Sequence, residues 1–147
     1  MNLSKHFTLQ ELIRSQAATR RGISNIPDKQ TAENLARLCT LILEPMRMRL
    51  SRPVLITSGY RCPELNALIG GSPTSQHMKG QAADLHVEGM TASELFHWIV
   101  DVSSLPYDQV IEEFGEWVHV SWSEHPRHMA LVAFKNDEGE TEYRRIA

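Results

Sequence analysis

Apolar residues recur along this chain with two periods, and each period predicts a different kind of element. Between Asp28 and Leu50, the residues Leu35, Leu38, Cys39, Ile42 and Met46 follow the three- and four-residue spacing of one buried helix face. Pro45 falls inside that stretch. Proline has no N–H for the preceding turn, so a kink is expected near Leu41 to Glu44. Shorter apolar runs with β-branched residues or alternation predict strands at 53–58, 83–87, 109–114 and 117–122, the last two separated by Gly115. Residues 129–135 and 141–145 predict a hairpin across Asn136-Asp137-Glu138-Gly139. Thr8-Leu9-Gln10-Glu11 and Thr91-Ala92-Ser93-Glu94 have capping-box spacing, which starts a short helix at Thr8 and another running to about Val100. Pro63 to Ile69 predicts a short helix with Pro63 in its first turn and Gly70-Gly71 at its end. Residues 20–28 and 71–79 are expected to be loops. Helices come first and strands cluster later, so the fold class is α+β, with N-terminal helices packed on a mainly antiparallel sheet.

Composition changes this picture little. The chain has 147 residues, 41% of them hydrophobic and 22% charged, which suits one folded domain over 1–147 with no separate binding module. Net charge is −3 and the basic residues are dispersed, which argues against nucleic acid as a partner. No apolar run reaches transmembrane length, and the first ten residues lack the apolar core of a signal peptide. Synthesis in the cytoplasm, no membrane partner and a monomer are the expectations. Two cysteines, Cys39 and Cys62, do not make a disulfide framework, and both are expected to be free thiols.

The candidate chemistry lies in two segments. Ser75-Gln76-His77-Met78-Lys79-Gly80-Gln81-Ala82-Ala83-Asp84 places a loop histidine seven positions before a strand aspartate. Small residues lie between them, which lets backbone segments approach closely. Glu116-Trp117-Val118-His119 places a histidine three positions after a glutamate. Two imidazoles and one carboxylate can hold a metal with an open position for water, and a spare carboxylate can act as a base. Alternation puts Trp117, His119 and Ser121 on one strand face. It puts Glu116 on the other, so joint action of Glu116 and His119 requires an irregular strand start at the turn after Gly115. His86 shares a face with Asp84 and is a rival ligand. His6, His97, His125 and His128 have no partner at ligand spacing.

With Ser58-Gly59-Tyr60-Arg61-Cys62-Pro63-Glu64-Leu65-Asn66, these motifs resemble those of the zinc D-Ala-D-Ala carboxypeptidases and the L-alanyl-D-glutamate endopeptidases. Those peptidoglycan peptidases share a fold with hedgehog signalling domains. The resemblance runs from about Phe7 to Trp122. It implies one zinc ion per chain, held by His77, Asp84 and His119. It also implies Glu116 as general base and Arg61 as the group that polarises the scissile carbonyl, although an arginine after a buried strand also suits a structural ion pair. Ser75, Tyr60 and Trp117 are the candidate substrate-binding residues. The implied partner is the peptidoglycan peptide. The missing signal peptide suggests a phage or prophage lysis enzyme that reaches the wall when cells lyse. The alternatives are a non-catalytic zinc-stabilised binding module and a virion-associated protein of the same fold.

Overall fold

Strand alternation decides which side of the sheet the helices cover. The computed structural model describes residues 1–147. A six-stranded sheet has the order β1-β2-β4-β3-β5-β6, with β1 Val54–Ser58, β2 Ala82–Val87, β3 Gln109–Glu113, β4 Trp117–Ser121, β5 Met129–Lys135 and β6 Thr141–Arg145. All neighbours are antiparallel except β3 and β5. Ala83, Leu85, Val110, Val118, Val120 and Ala130 form one face, fully buried in a cluster with Leu35, Leu38, Ile42, Met46, Phe96 and Ile99 from the helices. The intervening residues, among them Asp84, Ile111, Glu113, Trp117 and His119, form the other face. No helix is long and apolar enough to cross a membrane. This is a single small α+β domain.

The helices form where their caps and periodicity place them. Both capping boxes are present, starting α1 (Leu9–Ile13) and α6 (Ala92–His97). The long helix is α3 (Lys29–Leu38), a π-helical turn (Cys39–Leu43) and α4 (Glu44–Leu50). The widened turn, closed by Glu44 N–H to the Cys39 carbonyl, sits where the proline kink is expected. It accommodates Pro45 without a break in the helix. A second π-helical turn carries α6 on to Val102.

One element departs from the sequence reading. Residues 16–21 form α2 (Gln16–Arg21), so Arg20 and Arg21 end a helix and do not lie in a loop. Ser15 caps its start, accepting from the Ala18 N–H, and Gly22 ends it at φ 66°. The segment lacks the apolar periodicity that marks a helix, and buries only Ala18. α5 (Pro63–Leu68) forms as expected, with the Cys62 sulfur accepting from the Leu65 N–H at 3.5 Å. Both cysteines are buried and free, and burial pushes the Cys39 thiol up to about 12.

Candidate metal centre and its cavity

Two of the three expected ligands are cross-strand neighbours. Asp84 on β2 pairs in register with His119 on β4, which puts both side chains on the open face at one point. The third comes from the loop before β2. Ser75 accepts from the His77 N–H at 3.2 Å, starting a 3₁₀ turn (Gln76–Lys79) that delivers the His77 ring to the same point. Gly80 ends this turn at φ 69°, and a Cβ there would meet the Thr31 carbonyl oxygen at 2.5 Å. A bulge in β1 at Thr57 brings Ser58 opposite Asp84.

The hydrogen bonds decide the tautomer of His77. Its Nδ1–H donates to the Gly59 carbonyl at 2.7 Å, which leaves the Nε2 lone pair aimed at Asp84 Oδ1, 3.3 Å away. Two electron-pair donors facing each other at that distance call for a cation between or beside them. Tetrahedral ligands about 2.0–2.2 Å from zinc lie about 3.3–3.6 Å apart. The three ligand atoms all lie within 4.8 Å of one another, and His119 Nδ1 is 3.0 Å from Asp84 Oδ1. The residues present therefore fit a metal ion. Burial pushes the His77 pKa down and outweighs the pull of Asp84, so the imidazole is neutral and free to ligate. Burial opposes ionisation of Asp84, but the hydrogen bond from His119 prevails and holds it well below the usual carboxylate range.

The segment carrying Arg61 is fastened from both sides. The Arg61 N–H donates to the His77 carbonyl at 3.1 Å and the Tyr60 N–H to the Leu12 carbonyl at 2.7 Å. Gly59 is required for that approach, since a Cβ would meet the Leu12 oxygen at 2.2 Å. Buried Asn25 brackets the segment, donating to the Tyr60 carbonyl at 2.9 Å and accepting from the Cys62 N–H at 2.8 Å. The guanidinium itself makes one side-chain hydrogen bond, to Ser75 at 3.3 Å, and its Nε is buried without a partner. No carboxylate forms a salt bridge with it, so the structural ion pair weighed in the sequence is not formed.

A cavity of about 480 Å³ opens over this centre. His77, Asp84, His119, Arg61, Ser75 and Trp117 all line it, and the Trp117 indole N–H is buried without a partner. Tyr60 does not line it. That side chain is 7% exposed in the core and borders a neighbouring cavity, which shares Arg61 as a wall. His86 is exposed two residues beyond Asp84 and takes no part. His6 pairs with Glu44 at 2.6 Å, away from the cavity.

Glu116, the expected base, is exposed and outside the cavity; Glu113 lines it. The β3–β4 turn explains the exchange. Phe114 and Gly115 adopt φ 57° and 70°, and the Glu116 N–H closes the turn on the Glu113 carbonyl at 2.9 Å. β4 starts at Trp117, opposite Glu113. The irregular start that would turn Glu116 inward does not occur, and alternation from His119 through Trp117 leaves Glu116 outside. On β3 the same alternation brings Gln109, Ile111 and Glu113 to the cavity. Burial pushes the Glu113 carboxyl up, helped by Asp84 and opposed by His119. Alternation along β3 from Gln109 to Glu113 carries this signal in the sequence, once the turn length is known. Arg127 and Tyr143 also line the cavity and come from residues that the sequence reading leaves without a role.

A family model described as Peptidase M15 matches residues 5–121, which includes all three ligands, Arg61, Glu113 and Glu116. No curated protein matches the chain.

Proposed function

The chain belongs to the peptidase M15 family, and from that premise we propose that it is a zinc-dependent peptidase that hydrolyses peptide bonds in the stem peptide of peptidoglycan, of the D-Ala-D-Ala carboxypeptidase or L-Ala-D-Glu endopeptidase type. One observation carries the catalytic part of this reading. Three metal-ligand side chains, a burial-raised carboxylate and a guanidinium without a carboxylate partner all border one cavity. A binding module that uses metal for stability alone would close the site with a fourth protein ligand, and the His77, Asp84 and His119 cluster has none.

His77, Asp84 and His119 would hold the zinc, which when bound lowers the pKa of a water and polarises a carbonyl. The general base in this reading is Glu113. Its carboxylate takes a proton from the attacking water and passes it to the leaving amine. Arg61 donates to the carbonyl oxygen as negative charge develops there. The hydrogen bonds that the Ser75 hydroxyl accepts from the His77 backbone N–H and from the Arg61 guanidinium make Ser75 a positioning residue for both.

The test is incubation of the purified protein with isolated peptidoglycan, followed by mass spectrometry of the released muropeptides. Cleavage of a stem-peptide bond is expected, lost with a chelator and restored by zinc. Intact stems after incubation with the zinc-loaded protein would refute the reading. The mass of the products also tells a terminal D-Ala cut from an internal one.

A further inference from the structure

The cavity holds a second guanidinium that the proposed chemistry does not use. Arg127, in the segment between β4 and β5, is held by Asp108, which is 1% exposed. Its Nε donates to Asp108 Oδ1 at 3.0 Å and its Nη2 to Oδ2 at 2.7 Å. Gln76, next to the ligand His77, donates to the same Oδ2 at 3.0 Å. Asp108 therefore ties Arg127 to the turn that carries His77.

This clamp is not needed to fix the loop. The backbone N–H of Arg127 already bonds Asp108 Oδ1 at 2.8 Å, and the Met129 N–H bonds the Asp108 carbonyl at 2.9 Å. The side-chain fork instead fixes the rotamer of a guanidinium that remains 51% exposed and lines the cavity. A guanidinium has five N–H donors. Two serve Asp108, so three remain. A pre-set guanidinium loses little freedom on binding and matches a carboxylate in geometry. Arg61 is the one other arginine or lysine lining the cavity, and the reaction employs it at the carbonyl oxygen. Arg127 lies beyond the 5–121 family match, so the match assigns it nothing.

We propose that Arg127, oriented by Asp108, is the receptor for a free carboxylate of the substrate and so selects which peptides the site accepts. The inference rests on the peptidase reading above and names the substrate class: peptides with an ionised carboxylate near the scissile bond. Two carboxylates of a stem peptide have this chemistry, the α-carboxylate of the γ-linked D-Glu and the C-terminal carboxylate. Asp108 offsets part of the charge of Arg127, so the selectivity comes from directed hydrogen bonds and is moderate in size.

The experiment uses the pentapeptide L-Ala-γ-D-Glu-L-Lys-D-Ala-D-Ala and two derivatives, one amidated at the D-Glu α-carboxylate and one at the C terminus. Affinities are measured by calorimetry on the zinc-loaded protein carrying Glu113→Gln, with and without Arg127→Ala. One amidation is expected to weaken binding about ten- to a hundredfold, as for loss of a hydrogen bond to a charged group, and Arg127→Ala to erase that difference. The sensitive derivative identifies the carboxylate. Arg127→Lys keeps the charge without the fork and should retain part of the preference, which decides the matter if the alanine variant is poorly folded. Equal affinity for all three peptides, no measurable affinity for any, or an amidation penalty that survives both substitutions would overturn the proposal. Hydrolysis by the wild-type protein is scored separately. Failure to cut the unmodified peptide defeats the peptidase reading and leaves the affinities to decide the carboxylate site.

Discussion

The two ends of the open sheet face are built on opposite principles. At the β2 end, Asp84, His119 and His77 engage one another, and His77 is anchored further by the Gly59 carbonyl. At the far end, Glu113, Trp117 and Tyr143 line the cavity without side-chain hydrogen bonds; the Trp117 N–H is buried and unpartnered and Tyr143 is 58% exposed. The first arrangement suits holding an ion, which requires rigid donors at fixed separations. The second suits meeting a substrate, whose groups complete the hydrogen bonds when it arrives. Arg61 combines the two, with a backbone segment locked by Asn25 and His77 and a head group bonded only to Ser75.

Substitutions at the two ends should therefore fail in different ways. The largest effect is expected at the locked end. His77→Ala and His119→Ala should lose both zinc, by metal analysis, and all measurable hydrolysis, whereas His86→Ala should keep both. Full zinc in either of the first two variants would dismantle the assigned centre. At the free end, Glu113→Gln should retain zinc and fold but lose ~10²–10⁴-fold in turnover. Glu116→Gln, three residues away on the outside of the turn, should stay within about twofold of wild type, since surface changes away from the chemistry matter little. The reverse ranking would restore Glu116 as the base and imply that the β3–β4 turn rearranges. Arg61→Lys keeps the charge but loses the planar fork; ~10²-fold lower turnover at near-normal melting temperature is expected.

Smaller effects sharpen the contrast. Asn25→Ala strips partners from the Cys62 N–H and the Tyr60 and Ile13 carbonyls. Each buried group left unpaired costs about 1–3 kcal/mol, so denaturant titration should show lower stability, with turnover falling through misplacement of Arg61. The smallest effect concerns acid. Burial raises the Asp108 pKa, but its bonds from Arg127 and Gln76 prevail, leaving it below the normal carboxylate value. A depressed folded-state pKa contributes stability that is full above the unfolded value of about 4 and is lost as pH falls through the folded one. Asp108→Asn should flatten the loss of stability below about pH 4; an unchanged acid profile would show that the Arg127 clamp contributes nothing to folding.

Much of the architecture was legible in the order of residues. Capping boxes at Thr8 and Thr91 and the period of Leu35, Leu38, Ile42 and Met46 mark helices, because each is a local rule in backbone hydrogen bonding or side-chain spacing. α2 escaped because its stability comes from Ser15, Gly22 and one buried alanine, without an apolar stripe. The motif around His77 and Asp84 pointed to metal through residue type and through the resemblance, although nothing in their spacing says that they meet.

What the sequence determined by itself was the face on which each side chain stands within its own strand, since that follows from a period of two. Only the tertiary structure decided which faces and which rows come together. Asp84 meets His119 because β2 pairs with β4 in one register, and a one-residue slip would separate them. Glu113 lines the cavity and Glu116 does not because the turn through Phe114 and Gly115 leaves Glu116 outside the ladder, a count set by backbone dihedrals and not by motif spacing. Arg127 reaches the cavity because buried Asp108, 19 residues earlier, draws it there. Alternation is a property of each strand; register and long-range pairing depend on how all the strands and helices pack at once.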